Sequence, residues 1–239
     1  MYKNAEETSA FFKAFLPLVE KSEHCDIVIC PPFPNLAVAA VAAQSSKVEI
    51  GGQNMYWKKE GAFTGEVSAS MLLGVGCKWV IIGHSERRQF FGETDETVYE
   101  KTVAALEAGL MPIVCVGEKL EEREAEKTEP VLLAQLLGGL GKLKSEQFAK
   151  IAIAYEPVWA IGTGKTATPE MAQAAHRYIR SMVARHVGFG AAGPVRVLYG
   201  GSVKPDNIKG IMAQADVDGV LVGGASLDAT SFASIVNYQ

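Results

Sequence analysis

The chain has 239 residues, with 23 basic and 27 acidic side chains, a net charge of −4 and 48% apolar residues. That length supplies a sizeable core, and α/β barrels commonly reach about this size as one domain, so residues 1–239 are read as a single domain. No Lys/Arg run stands out, which leaves nucleic acid and anionic membrane without an electrostatic foothold.

The opening Met1-Tyr-Lys-Asn-Ala-Glu-Glu is polar and carries no signal-peptide core. The longest charge-free apolar stretch, around Leu36 to Ala43, is too short to span a bilayer. Cys25, Cys30, Cys77 and Cys115 form no C-x-x-C pair, and all but Cys77 lie in or beside apolar strand-like runs. Buried free thiols and a cytoplasmic location are expected.

Asn4 with Glu7 three residues on marks a helix start, and Phe11, Phe12, Phe15 and Val19 recur at helical spacing, with Pro17 as a kink point. Asp26 to Cys30 reads as a strand stopped by Pro31-Pro32, followed by an Ala-rich helix from Asn35 to Gln44. Val48 to Asn54 is a weaker strand. A polar and aromatic loop from Met55 to Glu66 leads to a helix from about Ser68 to Gly74. Trp79 to Gly83 is a strand running directly into His84. Thr94 to Ala108 reads as a helix ended by Gly109, and Met111 to Val116 as a strand.

The charged run Glu118 to Glu129 reads mostly as a solvated helical face, with a helix continuing through Val131 to Leu137. Ile151 begins a further strand, Pro169 opens a helix to about His186, and Val195–Tyr199 and Gly219–Val222 are the last two strands. Strands alternate with helices, which predicts a parallel α/β fold. Seven strands are counted, where eight strand–helix units close a barrel.

The chemistry-bearing residues gather at the carboxyl ends of the strands, the face that carries the active site in an α/β barrel. Glu156 stands where the Ile151 strand ends, and Pro157 keeps it out of the helical region. The loop beyond it, Val158 to Ala167, carries Trp159 and Ile161 beside Gly162 and Gly164. It reads either as a lid attached to a general base or as a surface loop packed on a neighbouring helix.

His84 precedes Ser85-Glu-Arg-Arg88. Ser85 is expected to cap a short helix whose positive end keeps the imidazole neutral; a structural histidine is the other reading. Gly200-Gly201 and Gly223-Gly224 permit backbone amides to approach an anion after the last two strands, with Ser202 adding a hydroxyl or a cap; ordinary tight turns are the alternative.

Two motif matches fail. Gly164-Lys165-Thr166 resembles the end of a P-loop, but Trp159 occupies the first glycine position. Gly162-x-Gly164-x-x-Ala167 starts too far beyond the strand for a dinucleotide fingerprint, and no acidic residue follows about 20 positions on. Neither ATP nor NAD is indicated, and no cofactor or metal is expected.

Ala154-Tyr-Glu-Pro-Val-Trp-Ala-Ile-Gly-Thr-Gly-Lys165, Ile82-Gly-His-Ser-Glu-Arg-Arg88, Tyr199-Gly-Gly-Ser202, Gly61-Ala-Phe-Thr-Gly-Glu66 and Asp218-Gly-Val-Leu-Val-Gly-Gly-Ala-Ser226 resemble the signatures of the triosephosphate isomerase family. The match runs over essentially the whole chain in order. The resemblance implies a (β/α)8 barrel, or TIM barrel, that interconverts glyceraldehyde 3-phosphate and dihydroxyacetone phosphate without metal or cofactor. It implies Glu156 as base and His84 as electrophile. Gly162, Ser202, Gly223 and Gly224 would bind phosphate, and Pro157 to Ala167 would form the lid. Ser85 and Glu86 would support the site, and Ile161 with Leu221 would press on Glu156. A homodimer through loop 55–66 is also implied, with Thr64 supporting the partner's site.

One departure qualifies this. The family's first strand ends in Asn-x-Lys, and the sequence opens just after that lysine, with Lys3 a poor substitute. The expectation is a barrel lacking its first strand here, from a sequence clipped at an internal Met. A catalytically impaired barrel remnant that binds phosphorylated ligand is the alternative function, and another phosphate-binding barrel isomerase is the third.

Overall fold

The computed structural model describes residues 1–161 and 166–239. Among these described residues seven parallel strands pair in chain order: β1 (Ile27–Ile29), β2 (Val48–Gly52), β3 (Trp79–Ile82), β4 (Met111–Val116), β5 (Ala152–Tyr155), β6 (Arg196–Tyr199) and β7 (Gly219–Val220). All seven were anticipated, with ends within two residues. The register is Ile82↔Val114, Val116↔Tyr155, Tyr155↔Tyr199 and Tyr199↔Val220. The carboxyl ends of β4 to β7 are therefore level, and β3 ends two positions below them. That brings Gly83-His84, Gly117, Glu156 and Gly200 to one rim.

Side-chain alternation along the strands divides the core in two. Trp79, Ile81, Ile113, Cys115, Ala152 and Ala154 form the inner cluster. Val80, Ile82, Val114, Val116, Ile153 and Tyr155 point outward into the larger cluster shared with the helices. Parallel strands covered on both faces explain why these segments read as nearly unbroken apolar runs.

The helices are α1 (Ala5–Val19), α2 (Leu36–Ala43), α3 (Ala69–Gly74), α4 (Ser85–Phe90), α5 (Asp95–Ala108), α6 (Leu120–Glu124), α7 (Thr128–Leu140), α8 (Pro169–His186), α9 (Phe189–Ala192), α10 (Ile208–Met212) and α11 (Ala229–Val236). Asn4 and Glu7 form the expected reciprocal cap on α1, and that helix runs through Pro17. Its inward face stacks Phe15 on Phe232 of α11, with ring centroids 5.1 Å apart. Thr94 caps α5, and Gly109 ends it at φ 93°, a left-handed conformation that glycine adopts without a Cβ penalty. Pro169 and His186 bound α8 as expected.

Three expectations change. Cys25 is exposed, because β1 begins only at Ile27 and the residues before it form a surface bend. Cys77 is buried, since its N–H donates to Leu72 O as α3 ends and turns it inward. All four thiols are free. Third, the run from Glu118 to Glu129 is no continuous solvated face: α6 is short, and Glu118 has no solvent exposure at all.

On α8, His176 is wholly buried, with Nδ1 3.2 Å from Asp216 O and its ring edge-on to Tyr155. Burial pushes its pKa down to about 4. The unfolded chain binds this proton more readily, so the stability tied to neutral His176 is complete above the unfolded pKa near 6.5. It is lost as pH falls toward 4. Between pH 7 and pH 5 the loss is about 2 kcal/mol. Urea unfolding at the two pH values is expected to show that difference in wild type and a flatter profile in His176→Phe. Equal slopes in both proteins would remove His176 as the cause.

Candidate active site

Gly83 leaves β3 at φ 74°, and a Cβ there would come within 2.8 Å of Val98 Cγ2. Only glycine fits both constraints. Its N–H donates to Glu93 Oε1 at 2.9 Å, and its carbonyl accepts from Arg88 Nε at 2.9 Å. Glu93 is itself buried and also takes Arg87 Nε at 2.7 Å and Lys101 Nζ at 2.9 Å. Lys101 continues to Asn54 Oδ1 at 2.8 Å. Burial alone would raise the Glu93 pKa, but Lys101, Arg87 and the Gly83 amide outweigh it and hold the carboxyl below its usual range.

This clamped corner aims His84. The sequence led us to expect Ser85 as the cap of α4, but His84 is the cap: its Nδ1 accepts from Glu86 N at 3.3 Å. A nitrogen that accepts carries no proton, so Nε2 is the N–H and lies 2.9 Å from Glu156 Oε1. Ser85, freed from capping, donates its N–H to Glu156 Oε2 at 2.9 Å and its hydroxyl to Oε1 at 3.2 Å. Glu86 stays exposed, 3.8 Å from His84 Nδ1.

The expectation of an imidazole kept neutral by the helix terminus needs correction for this arrangement. Burial lowers the His84 pKa, but the hydrogen bond to Glu156, then its charge and those of Glu86 and Glu93, raise it overall. The neutral form therefore depends on where the Glu156 carboxylate sits.

Glu156 is 2% exposed. Its N–H donates to Val116 O at 2.8 Å, the last rung of β5 on β4. The neighbouring Gly200 N–H donates to Tyr155 O at 2.7 Å. A Cβ on Gly200 would sit 3.0 Å from Glu156 Cγ, and one on Gly201 would collide with Tyr199 and press on Pro157. These two glycines thus make room for the carboxylate and the start of the loop, a use that the sequence reading assigned to an anion. Gly223 and Gly224 differ: nothing lies within 4 Å of a Cβ at either, so both face open space. Ser202 follows the β6 glycines, with its carbonyl held by Asn207 Nδ2 at 3.0 Å. Leu221 packs on the inner cluster with Cys115 and Ala154.

The loop after Glu156 starts as a single turn, Val158–Ala160. Glu118 holds it, and nothing in the charged run singled that residue out. Its carbonyl accepts from Val158 N at 3.1 Å. Its Oε1 takes Tyr155 OH at 3.1 Å and Trp159 Nε1 at 2.9 Å. Arg123 lies over the Trp159 ring, 5.5 Å from its centroid. Ile161 is partly exposed, and Gly162 lies outside the described residues. Thr64 is exposed in loop 55–66, where the Tyr56 ring packs at a tilt against Trp57 and Phe63. Among the described residues, no group of three or more His, Cys, Asp or Glu side chains is placed to hold a metal ion, and no helix is long and apolar enough to cross a membrane.

A buried carboxylate at the end of β5 and an imidazole N–H at the end of β3, on the rim that also carries the open Gly223-Gly224 turn, suit proton transfer next to a polarised oxygen. The comparisons with known proteins agree with that geometry. The sequence pattern of the triosephosphate isomerase family matches residues 1–239. A triosephosphate isomerase from Solibacter usitatus is 63% identical over 238 residues, covering 100% of this chain and 96% of the relative. Those from Geotalea uraniireducens and Chloroflexus aurantiacus are each 51% identical over 239 residues, covering 100% of this chain and 95% and 96% of theirs. Pattern and full-length identity together show that this chain belongs to the triosephosphate isomerase family.

Proposed function

We propose that this chain interconverts D-glyceraldehyde 3-phosphate and dihydroxyacetone phosphate, with Glu156 as the base and His84 as the electrophile. The observation that carries the residue roles is the approach of Glu156 Oε1 to His84 Nε2 at 2.9 Å. Glu156 takes a proton from the carbon next to the carbonyl, and His84 Nε2–H donates to the carbonyl oxygen as it gains charge. The enediol(ate) so formed collapses to the other triose phosphate when Glu156 returns its proton to the neighbouring carbon, the one that carried the carbonyl. The hydroxyl proton on the carbon first deprotonated passes, through His84 Nε2, to the former carbonyl oxygen, so that one carbonyl and one hydroxyl have exchanged places.

In the arrangement described, Glu156 is parked on Ser85 and His84. It must leave them to reach a substrate carbon. Once the carboxylate leaves, the largest cause raising the His84 pKa goes with it, and burial favours the neutral imidazole that the reaction needs. The Val158–Ala160 turn is joined to Glu156 through Pro157, so closing the loop and swinging the base are linked motions. Gly223 and Gly224, open to an anion, with Ser202 and Gly162, take the phosphate. Ser85 and Glu86 support His84, and Ile161 and Leu221 wall the base.

A homodimer through loop 55–66, with Thr64 reaching the partner's site, is part of the same proposal; Phe63 is exposed on that loop. Four free thiols suit a cytoplasmic location. Nothing in the fold or the comparisons favours a silent remnant. An assay coupling glyceraldehyde 3-phosphate turnover to reduction of dihydroxyacetone phosphate tests the reading. Steady conversion in both directions is expected. A folded chain that converts neither triose phosphate would overturn it.

A further inference from the structure

We infer that Gln135, on the outer helix α7, is a positioning residue for Glu156 and for the loop that follows it. The inference rests on the isomerase reading. The carboxylate of Glu156 is anchored at its far end by Ser85 and His84, but its backbone lies on the first residue beyond β4, Gly117. A Cβ on Gly117 would overlap the carbonyl oxygen of Glu156. The two main chains are therefore in direct contact, with no side chain between them to absorb a shift.

Gly117 has passed the end of its strand, so its N–H and carbonyl need another partner. Both find it in one side chain. Gly117 N donates to Gln135 Oε1 at 2.7 Å, and Gln135 Nε2 donates to Gly117 O at 3.1 Å. Gln135 can reach inward because Leu132 and Leu136 bury α7 against the strands and fix its rotation.

The next residue extends the effect. Glu118 holds Val158 N through its carbonyl, and Tyr155 OH and Trp159 Nε1 through its carboxylate. Residues 117 and 118 thus grip the chain from Tyr155 to Trp159, which contains the base and the root of the loop. Gln135 ties that grip to the helix layer. The Gly83 peptide below His84 is held in the same way, by Glu93 on its N–H and Arg88 on its carbonyl. Each of the two reacting residues is aimed by a glycine peptide whose N–H and carbonyl are held by side chains, from α4 and the loop after it for Gly83 and from α7 for Gly117.

Gln135→Met keeps the shape and removes both hydrogen bonds. Gln135→Glu keeps an acceptor for Gly117 N and loses the donor for Gly117 O. A base displaced by a fraction of an ångström loses rate rather than binding, so kcat is expected to fall about 10- to 100-fold in Q135M, with an intermediate loss in Q135E. KM and the inhibition constant of inorganic phosphate are expected to stay within about threefold, because three of the four residues proposed to take phosphate, Ser202, Gly223 and Gly224, follow β6 and β7 and only Gly162 lies on the loop. Folded Q135M with wild-type kcat overturns the inference. So does a parallel decline of kcat, phosphate affinity and melting temperature, which marks general loosening. If Q135M does not fold, Q135E alone decides, by the same split between kcat and phosphate affinity. Glu156→Ala is measured alongside: if it and Q135M both retain activity, the assignment of the base has failed as well. If Q135M alone retains activity, only the positioning role falls.

Discussion

Replacing Glu156 with Gln is expected to lower kcat by about 10²- to 10⁴-fold, the share that a positioned general base contributes. The substitution keeps the length and shape of a side chain that is 2% exposed. The amide oxygen still accepts from Ser85 N, so the folded position survives. What goes is the capacity to hold a proton between two carbons. KM is expected to change little, since the Glu156 carboxylate bonds to Ser85 and His84 and not to Ser202, Gly223 or Gly224, which are proposed to take the phosphate. Stability near pH 7 is expected to change little, because the lost pairing with His84 offsets the removal of a buried charge. Glu156→Asp asks a separate question. It keeps the carboxylate but withdraws it by one methylene from a site fixed by Gly117 and Gly200, and a retreat of this order costs about 100-fold. Rates in both directions for the three proteins, with thermal melts as the folding control, check the claim. A fall of less than tenfold in E156Q would move the base to another residue.

The rim of strand ends was legible in the sequence because each of its parts is local. A parallel strand buried on both faces leaves an apolar run, and the residue that ends the run is the residue at the rim. His84 and Glu156 could be placed in this way. What reaches the rim from another layer left no such trace. Glu118 sits in a run with Glu121, Glu122, Glu124, Glu126 and Glu129, and composition alone reads it as one more solvated carboxylate. It is buried because β4 and β5 end level and bring Tyr155 OH and Trp159 Nε1 to it. Glu93, Lys101 and Gln135 were missed for the same reason, since their partners lie at distant positions or on another element. The cap of α4 failed differently. Serine is the commoner capping residue, but Gly83 at φ 74° rotates the chain so that the imidazole reaches the helix N–H first. Helices α9 and α10, of four and five residues, are too short to show a helical period.

These buried ties bear on how the site is kept ready. Each end of the Glu156 side chain is held, the backbone by Gly117 and the carboxylate by Ser85 and His84. The carboxylate end is the one that can be released without breaking the sheet. In the proposed reaction the carboxylate swings while Gly117 and Glu118 keep the strand ends and the loop root in place, which suits chemistry shielded from water.

His84→Asn carries the second large effect. Asn is a good helix cap, so the side chain still serves Glu86 N and α4 is expected to remain. Its amide is too short to place a donor where Nε2 stands. The loss of one preorganised donor at a developing oxyanion costs about 10²- to 10³-fold in kcat. The pH dependence separates this from a packing effect. Burial lowers the His84 pKa and Glu156 more than restores it, so the folded imidazole holds its proton at higher pH than the unfolded one. The stability from that proton is complete below the unfolded pKa near 6.5 and is lost as pH rises through the folded value. H84N is expected to remove this part of the pH–stability curve. On the activity side, the reaction needs neutral imidazole with ionised carboxylate, so proton uptake by the His84–Glu156 pair shapes the acid limb of kcat/KM. The imidazole contribution is expected to vanish from that limb in H84N. Nitrogen NMR of the ring in E156Q should show the His84 pKa falling, since the largest cause raising it is gone while burial remains. An unchanged ring titration in E156Q would mean that the 2.9 Å approach of Nε2 to Oε1 is not what sets the charge on His84.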